Sequence, residues 1–491
     1  MPTVSEALDH AWRLQQSGQV GAAEQIYRQV IDSQEDNANA WCFLGIALYD
    51  QKRYQESEAA YRRAIEIQPE FPIAHSNLAN TLSRLDKIDE AIASCQLALE
   101  QKPDYPTPHL NLGAIYVREN RLDEAQESFE RVLELAPQDA TAMRNLGAIF
   151  IQQGRLSEGE SHSQRALAVA PGMAEAQRNL AILHLLQGDF ARGWAEYEAR
   201  WRCGDLTLPD YEQPMWNGES IQGRTILLRC EQGLGDTLQF IRYAKLLKKR
   251  GARVLAAVQS VLLPILRDVE GVDQWIDSEQ PLPEFDVYAP LLSLPRAFDM
   301  NLNNVLADVP YLSADPQRVK SWSQRLDGEG LRIAIAWQGS RDHKTDYLRS
   351  LPLAALRPLA EIPGVRLISV QKGDGQEQLE DVGFPVAAFD DLDGDGAFLD
   401  TAALLTNVDL IVSTDSAIGH LAGALARPTW LALALTPDWR WLLDREDSVW
   451  YPQTRLFRQT AIRDWDGVVE QMATALRAHL DGAEPLIARN E

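Results

Sequence analysis

The sequence is poor in cysteine, in basic charge and in long apolar runs. Its four cysteines form no C-x-x-C pair and no metal-binding spacing, which favours small buried side chains in a reducing compartment. No apolar stretch approaches the ~18 residues that span a bilayer, and the first residues lack the basic and apolar regions of a signal peptide. We therefore expect a cytoplasmic protein with no membrane span.

Positive charge is the scarcer sign, with 47 basic against 71 acidic residues and a formal net charge of −24. This balance repels a polyphosphate backbone and argues against a nucleic-acid partner. A small phosphate-bearing ligand would need basic groups gathered in one place. At ~150 residues per domain, the length of the chain indicates about three domains.

The first two hundred residues repeat with a period of 34. Prolines keep this spacing at Pro69, Pro103, Pro137 and Pro171. Leucines share the register at Leu44, Leu78, Leu112, Leu146 and Leu180, and each is followed by a small residue: Gly45, Ala79, Gly113, Gly147 and Ala181. Such self-similarity predicts a stack of identical structural units.

Each repeat is predicted to be a pair of antiparallel helices. The small residues are expected where the two helices cross closely, with bulk supplied from the second helix by Tyr61, Phe129 and Tyr197. The proline ends that helix because it lacks an N–H and clashes with the preceding turn. The pattern resembles the tetratricopeptide repeat and covers about residues 1–207, with about six copies including a degenerate first one.

A stack of such repeats forms a superhelix with a concave groove, which suits docking of a protein or peptide. A spacer or an oligomerisation arm is the alternative. Asparagines on the first helices could hydrogen-bond a peptide backbone, or could lie on a solvated face. These candidate acceptor-binding residues are Asn77, Asn80, Asn111 and Asn145.

The character of the sequence changes after Trp201, and residues 208–223, with their prolines and glycines, predict a linker. Beyond it, β-branched runs alternate with helical stretches, which predicts parallel sheets. The predicted strands are TILLRCE, RVLAAV, FDVYAPL, RIAIAWQGS, VRLISVQKG, PVAAFDD, VDLIVSTDS, PTWLALAL and TRLFRQ. We expect two Rossmann-like lobes, at 224–313 and 314–480, and a tail at 481–491. Ligands bind at the carboxyl ends of such strands, so the turns there are the candidate site.

The turn after the first of these strands contains Gly233, Gly235 and Asp236. Its glycines let the backbone approach a ligand at a helix N-terminus. A dinucleotide fingerprint would need a third glycine where Leu238 stands, which argues against a dehydrogenase. Asp236 is placed to accept a proton from an incoming hydroxyl. A helix-capping aspartate is the alternative interpretation.

A second turn, residues 413–420, follows an apolar strand and opens a helix. Its exposed N–H groups, its hydroxyls and His420 could hold a diphosphate without a metal, although Ser, Thr and Asp are also ordinary helix caps. Basic residues follow two strands of the same lobe, namely Arg341, His343, Lys344, Arg349 and Lys372. The acidic loop of Asp391, Asp393 and Asp395 has the spacing of a D-x-D metal site but lacks the expected flanking strand, so we expect no metal there.

Longer segments extend the pattern: GDFARGWAEYEARW, EQGLGDTLQFIRYA, STDSAIGHLAGALARPTW, DWRWLL and WYPQTRLFRQ. With them the chain resembles bacterial tetratricopeptide-repeat glycosyltransferases of the GT-B fold, related to heptosyltransferases and remotely to O-GlcNAc transferases. The resemblance extends over nearly the whole chain and implies an α array followed by a two-lobed α/β domain. The first lobe, about 90 residues, is short for a GT-B acceptor lobe, so we expect the repeats to complete the acceptor site.

The resemblance implies that Asp236 is the general base and that the second turn holds the diphosphate and ribose of a nucleotide-sugar donor. The implied donor-binding residues are Gly233, Gly235, Arg349, Lys372, Thr414, Asp415, Ser416, Gly419 and His420. We expect no metal or other cofactor.

The expected activity is inverting, metal-independent transfer of a sugar to Ser or Thr of a protein docked on the repeats. Flagellin is a candidate acceptor because members of the resembled group modify it. A non-catalytic scaffold with a degenerate α/β domain, and transfer to a saccharide or lipid, stay open as alternatives. Oligomerisation through the repeats is also open.

Overall fold

The computed structural model describes residues 3–343, 345–394 and 396–487. The chain forms two compact units. The first comprises the chain up to residue 150 together with 157–173, and the second comprises 151–156 and the chain from residue 174 onward. Within the described residues, no helix is both long enough and apolar enough to cross a membrane.

Twelve helices follow one another in the first part of the chain, eleven of 13 or 14 residues and a last one of 8, and helices α1 to α8 pack in successive pairs. They are α1 (Val4–Gln16), α2 (Val20–Ser33), α3 (Ala38–Asp50), α4 (Tyr54–Ile67), α5 (Pro72–Arg84), α6 (Ile88–Gln101), α7 (Pro106–Arg118), α8 (Leu122–Leu135), α9 (Ala140–Gln152), α10 (Leu156–Val169), α11 (Ala174–Leu186) and α12 (Phe190–Tyr197). The prediction of helical repeats is confirmed. Each periodic proline lies two residues after the end of α4, α6, α8 or α10.

The small residues of the repeats lie where the sequence predicts them. A Cβ added at Gly45 would stand 2.7 Å from the ring of Tyr61, and one at Gly113 would stand 2.6 Å from the ring of Phe129. Both rings are buried. Any larger residue at these crossings would push the paired helices apart.

The second unit contains two parallel sheets. The first has the strand order β3-β2-β1-β4 and the second the order β6-β5-β7-β8-β9, and all pairings are parallel. The strands are β1 (Thr225–Arg229), β2 (Arg253–Val258), β3 (Gln274–Asp277), β4 (Val287–Pro290), β5 (Leu331–Ala336), β6 (Val365–Ser369), β7 (Leu410–Thr414), β8 (Thr429–Leu433) and β9 (Thr454–Arg458). We call the parts around them the N lobe and the C lobe. The predicted α plus α/β fold class is confirmed.

Short helices connect the strands, and a longer one ends the C lobe. They are α13 (Leu234–Phe240), α14 (Ala244–Lys249), α15 (Leu263–Leu266), α16 (Leu294–Ala297), α17 (Pro316–Arg325), α18 (Asp346–Arg349), α19 (Arg357–Ala360), α20 (Leu399–Thr406), α21 (Ala417–Ala424) and α22 (Trp465–Leu480).

Two predicted features of the α/β part differ in the structure. Residues 385–391 form no strand, and Ala387 makes only an isolated bridge to Ile368. Pro385 cannot donate to a ladder and two aspartates end the run, so too few residues remain to pair. Part of the predicted linker is built into the N lobe, because Trp216 is buried and its backbone N–H donates to the Tyr288 carbonyl at 2.8 Å.

An aromatic cluster joins the last helix pair of the repeats to both lobes. The ring of Trp194 on α12 lies 4.9 Å from that of Trp439 in the C lobe and 6.2 Å from that of Phe240 in the N lobe. Phe240 in turn lies 5.9 Å from Trp450. All four side chains are buried. This shared core fixes helices α11 and α12 to the lobes, and the candidate site lies beside it.

Candidate active site

Asp236 lies in the first turn of α13, directly after β1. Its Oδ2 accepts a hydrogen bond from the backbone N–H of Gly233 at 2.7 Å, so it does cap its helix. Its Oδ1 accepts a hydrogen bond from the guanidinium of Arg440 in the C lobe. The side chain is 16% exposed. Helix capping therefore uses only Oδ2, and Oδ1 contacts the C lobe.

The N lobe and the C lobe touch where α13 meets α21. A Cβ added at Gly235 would stand 2.6 Å from Cδ2 of His420, which lies in the first turn of α21. Glycine at 235 is therefore required for the two helices to approach this closely. The contact brings the Asp236 turn of one lobe to the N-terminus of α21 in the other.

His420 is held as a neutral, buried ring. Its Nδ1 lies 3.0 Å from the hydroxyl of Tyr451, and its ring stacks on Trp441 at 5.5 Å. Burial, together with three nearby arginines, holds the pKa of His420 well below its usual value. The imidazole is thus uncharged at pH 7 and contributes hydrogen bonding and shape, with no positive charge for a phosphate.

The turn between β7 and α21 presents a backbone N-terminus and several hydroxyls. Ser416 is the residue before the helix, with its Oγ 3.1 Å from that of Ser413. Thr414 is buried and its hydroxyl has no hydrogen-bond partner among the described residues. Gly419 packs inward, since a Cβ there would stand 2.9 Å from Leu431 of the sheet. Gly419 therefore lets α21 pack closely against the sheet.

Asp415 carries an unusual carboxyl group. Burial, and then the nearby Asp438 carboxylate, raise its pKa to about 6, although Arg349 and Arg440 pull it down. This carboxyl group therefore changes charge near pH 6, beside the N-terminus of α21. A diphosphate there is favoured by its protonated form.

The basic residues of the C lobe divide into two sets. Arg349 donates from Nε to Asp346 at 3.1 Å and acts electrostatically on both Asp415 and His420, so it belongs to the site. Lys372 is directed elsewhere, because its Nζ donates to the carbonyls of Leu392 at 2.6 Å and Asp393 at 3.1 Å.

Three further basic residues were predicted in this lobe. Arg341 pairs with Glu377 on the surface. The pKa of His343 is lowered by burial and then by Arg349, and His343 acts electrostatically on Asp236. Lys344 lies outside the described residues.

The acidic loop is engaged by protein groups. Asp391 pairs with Arg325 at 2.7 Å, and Asp393 accepts a hydrogen bond from the hydroxyl of Thr401 at 2.5 Å. Asp395 lies outside the described residues. Among those that are described, no group of three His, Cys, Asp or Glu side chains is arranged to hold a metal ion.

The four candidate asparagines of the repeats have different environments. Asn111 is 6% exposed and its amide donates to the carbonyl of Ser76 at 2.9 Å, so it joins two helices and is not available to a peptide. Asn77 is half-buried beside the thiol of Cys42, and it lowers the pKa that burial raises. Asn80 and Asn145 are half-buried. The last two are the better candidates for a docking groove.

Two arginines of the site were not singled out from the sequence. Arg440 pairs with Asp236 across 204 positions of the chain. Arg200, directly after α12, is buried and donates to Glu231 at 3.0 Å and to Ser293 at 2.7 Å. Glu231 precedes the Gly233 turn, and burial raises its pKa to about 7. The only signal was an arginine next to tryptophan, with Arg440 between two tryptophans in DWRWLL and Arg200 before one in EARW.

Comparison with known proteins gives matches in both parts of the chain. Tetratricopeptide-repeat profiles match residues 8–72, 48–106, 82–149 and 174–193. The profile of glycosyltransferase family 9 (heptosyltransferase) matches residues 367–433, which include the β7–α21 turn but not Asp236.

The curated relative protein FlbA of Caulobacter vibrioides is 25% identical over 325 residues, covering 58% of this chain and 52% of FlbA. This chain therefore spans about half the length of that relative.

Solved structures that match part of the chain include a thermophilic tetratricopeptide-repeat protein of Thermus thermophilus, with 22% identity and a TM-score of 0.31, covering 34% of this chain and 91% of that one. PilF of Pseudomonas aeruginosa has 15% identity and a TM-score of 0.37, covering 40% of this chain and 90% of that one. By the profile matches, the chain carries tetratricopeptide repeats in its first part and, at residues 367–433 of its α/β part, a segment similar to glycosyltransferase family 9 (heptosyltransferase).

Proposed function

We propose that the chain is an inverting, metal-independent glycosyltransferase that moves a sugar from a nucleotide sugar to a Ser or Thr hydroxyl of a protein. The observation that supports this most is the meeting of Asp236 with the N-terminus of α21. A carboxylate from the N lobe and a helix N-terminus from the C lobe come together at one contact between the lobes, where Arg440 donates to Asp236 and Gly235 packs against His420. The C-lobe side lies within the segment that matches a glycosyltransferase family.

The donor diphosphate is assigned to the N-terminus of α21. The free N–H groups and positive dipole end of this eight-residue helix favour an anion. Ser416 and Thr414 add hydroxyls, and Arg349, the last residue of α18, adds positive charge. These groups would stabilise the departing diphosphate without a metal ion. His420, being neutral, would shape the pocket.

The reaction needs one base. Asp236 takes the proton of the acceptor hydroxyl as its oxygen attacks the anomeric carbon. The bond from that carbon to the diphosphate breaks on the opposite face, and the nucleoside diphosphate leaves with the electron pair. The configuration at the anomeric carbon is inverted. Asp236 then releases its proton to water.

The acceptor is assigned to the repeats. Tetratricopeptide arrays bind protein segments in their concave groove, and Asn80 and Asn145 have half-buried side chains that can reach a backbone. Docking would raise the local concentration of the hydroxyl without altering the chemistry. Flagellin remains the candidate protein acceptor.

The test is a transfer assay with full-length protein, flagellin and a panel of UDP-, GDP-, ADP- and dTDP-linked sugars. We expect a mass increase of one sugar per modified Ser or Thr, release of nucleoside diphosphate, and inverted configuration in the anomeric NMR signal. Binding of a nucleotide sugar without hydrolysis or transfer would indicate the scaffold. Transfer to a saccharide or lipid extract but to no protein would move the acceptor to the other class.

A further inference from the structure

Arg440 is held rigidly between the two lobes. Its guanidinium donates from one nitrogen to Asp236, from Nε to Gln239 at 2.6 Å, and from a third nitrogen to Asp438 at 2.8 Å. The ring of Trp439 lies 4.1 Å from the guanidinium carbon. The side chain is 7% exposed. Every donating nitrogen thus has a partner in a nearly closed environment.

The pairing leaves Asp236 able to act. A carboxylate offers about four lone-pair positions. One is used by the N–H of Gly233 and one by Arg440, on different oxygens. The remaining positions and the 16% exposed surface of the side chain can still receive a proton from an acceptor. The contact therefore orients the carboxylate without blocking it.

We propose that Arg440 is a positioning residue that keeps Asp236 ionised and aimed at the acceptor hydroxyl. The proposal rests on the proposed function, in which Asp236 is the general base. A buried carboxylate without a cationic partner takes up a proton and can no longer act as a base. Burial does raise the pKa of Asp236, and Arg440 is the strongest influence in the opposite direction.

Other charged or titratable groups also face Asp236. From the C lobe, the carboxylate of Asp438 raises the pKa of Asp236 and His343 lowers it. From α21, the ring of His420 is neutral. The remaining neighbours, which interact electrostatically with Asp236, are Tyr197, the last residue of α12, and Glu231, which precedes the Gly233 turn. Among the described residues, only Arg440 combines a fixed positive charge with direct contact.

A purely structural role for Arg440, as a tie between the lobes, makes a different prediction. Loss of a purely structural contact between the lobes would lower turnover equally at every pH or unfold the protein. Losing the charge that keeps Asp236 ionised would lower turnover at acid pH and spare it at alkaline pH. The pH dependence therefore separates the two roles.

The experiment measures hydrolysis of the best donor of the nucleotide-sugar panel, with water as the acceptor, by full-length protein between pH 5 and 10. The release of nucleoside diphosphate is measured at saturating donor and gives kcat. Because the donor site is then full at every pH, the effect of Asp415 titration on donor affinity does not change the measured rate. The variants are Arg440→Gln, Arg440→Lys and Asp438→Asn. Circular dichroism and Tm report on folding.

In the plot of kcat against pH, we expect Arg440→Gln to shift the acidic limb to higher pH by about 1–3 units, because an adjacent cation usually lowers the pKa of a carboxyl group by that amount. At pH values below both limbs, turnover then falls about 10- to 1,000-fold, and it recovers at alkaline pH. Arg440→Lys should keep the limb near that of the wild type. Asp438→Asn removes a neighbouring negative charge and should move the limb downward.

An unchanged limb in Arg440→Gln, or an equal loss at every pH, would overturn the proposal. If Arg440→Gln does not fold, Asp438→Asn provides the test. A shift of its acidic limb to lower pH supports the electrostatic role, and an unshifted limb contradicts it. Asp236→Asn, measured in parallel, separates this inference from the proposed function. If Asp236→Asn keeps full turnover, Asp236 is not the base and the proposed function fails. If Asp236→Asn loses turnover but the acidic limb of Arg440→Gln does not move, only the proposed role of Arg440 fails.

Discussion

Replacing Asp236 with asparagine tests the proposed base with little change of shape. The amide oxygen of asparagine can still accept the hydrogen bond from Gly233, which spans 2.7 Å in the structure. The variant loses the negative charge that faces Arg440 and the ability to take a proton. Fold and donor binding should therefore persist while chemistry is lost.

The expected magnitudes differ for stability and for rate. Arg440 keeps Asp438 and Gln239 as partners, so the free energy of unfolding should fall by about 1–3 kcal/mol, the cost of weakening a buried hydrogen bond to a charged group. Turnover should fall by about 10²–10⁴-fold, the usual contribution of a general base. That loss corresponds to roughly 2.7–5.5 kcal/mol of transition-state stabilisation.

Asp438→Asn is the matched control, because it takes a carboxylate from the same guanidinium at 2.8 Å. Both variants should lose similar stability in thermal denaturation, but only Asp236→Asn should lose turnover in the nucleoside-diphosphate release assay at about pH 8, on the alkaline side of the carboxyl titration. Equal turnover in the two variants would refute the assignment of Asp236 as the base and leave it a helix cap.

Three further outcomes are expected. Gly235→Ala places a Cβ 2.6 Å from His420, so it should lower the free energy of unfolding by about 1–3 kcal/mol in a denaturation experiment and also reduce turnover. The control Gly172→Ala, whose added Cβ has no atom within 4 Å, should change neither. Binding of an intact nucleotide sugar, followed by calorimetry from pH 5 to 8, should tighten as Asp415 is protonated below about pH 6; Asp415→Asn should bind tightly throughout. EDTA should leave turnover unchanged, because the acidic loop is held by protein groups, and inhibition reversed by Mg²⁺ or Mn²⁺ would contradict this.

The repeats could be predicted in detail because their contacts are local and periodic. The crossing of Gly45 with Tyr61, only 16 residues apart in sequence, recurs in the next-but-one repeat at Gly113 and Phe129. A short stretch of sequence therefore contains both partners of each contact. The ends of α4, α6, α8 and α10 were indicated by the periodic prolines that follow them.

Strands were predicted where they are buried on both faces, and β3 was missed because only one of its four residues is buried. The run at 385–391 looked like a strand but has one pairing bridge. Pairing at a sheet edge depends on the neighbouring strand, which a hydrophobic run does not reveal.

The sequence indicated the two turns of the candidate site but not the side chains that contact them. Asp236 and the turn before α21 were identifiable because each follows a strand and opens a helix. The pairing with Arg440 depends on the approach of two lobes, and the pKa of His420 depends on burial against Trp441 and three arginines. Neither follows from spacing along the chain.

The most direct test of the account is calorimetric titration of a nucleotide sugar into the wild type, Asp236→Asn, Arg349→Ala and Arg341→Ala. The account predicts one site per chain, undiminished in Asp236→Asn and in the surface control Arg341→Ala, and weakened about tenfold or more in Arg349→Ala, which corresponds to about 1.4 kcal/mol. Absence of binding to every nucleotide sugar, or equal affinity in all four proteins, would contradict a donor site at the N-terminus of α21.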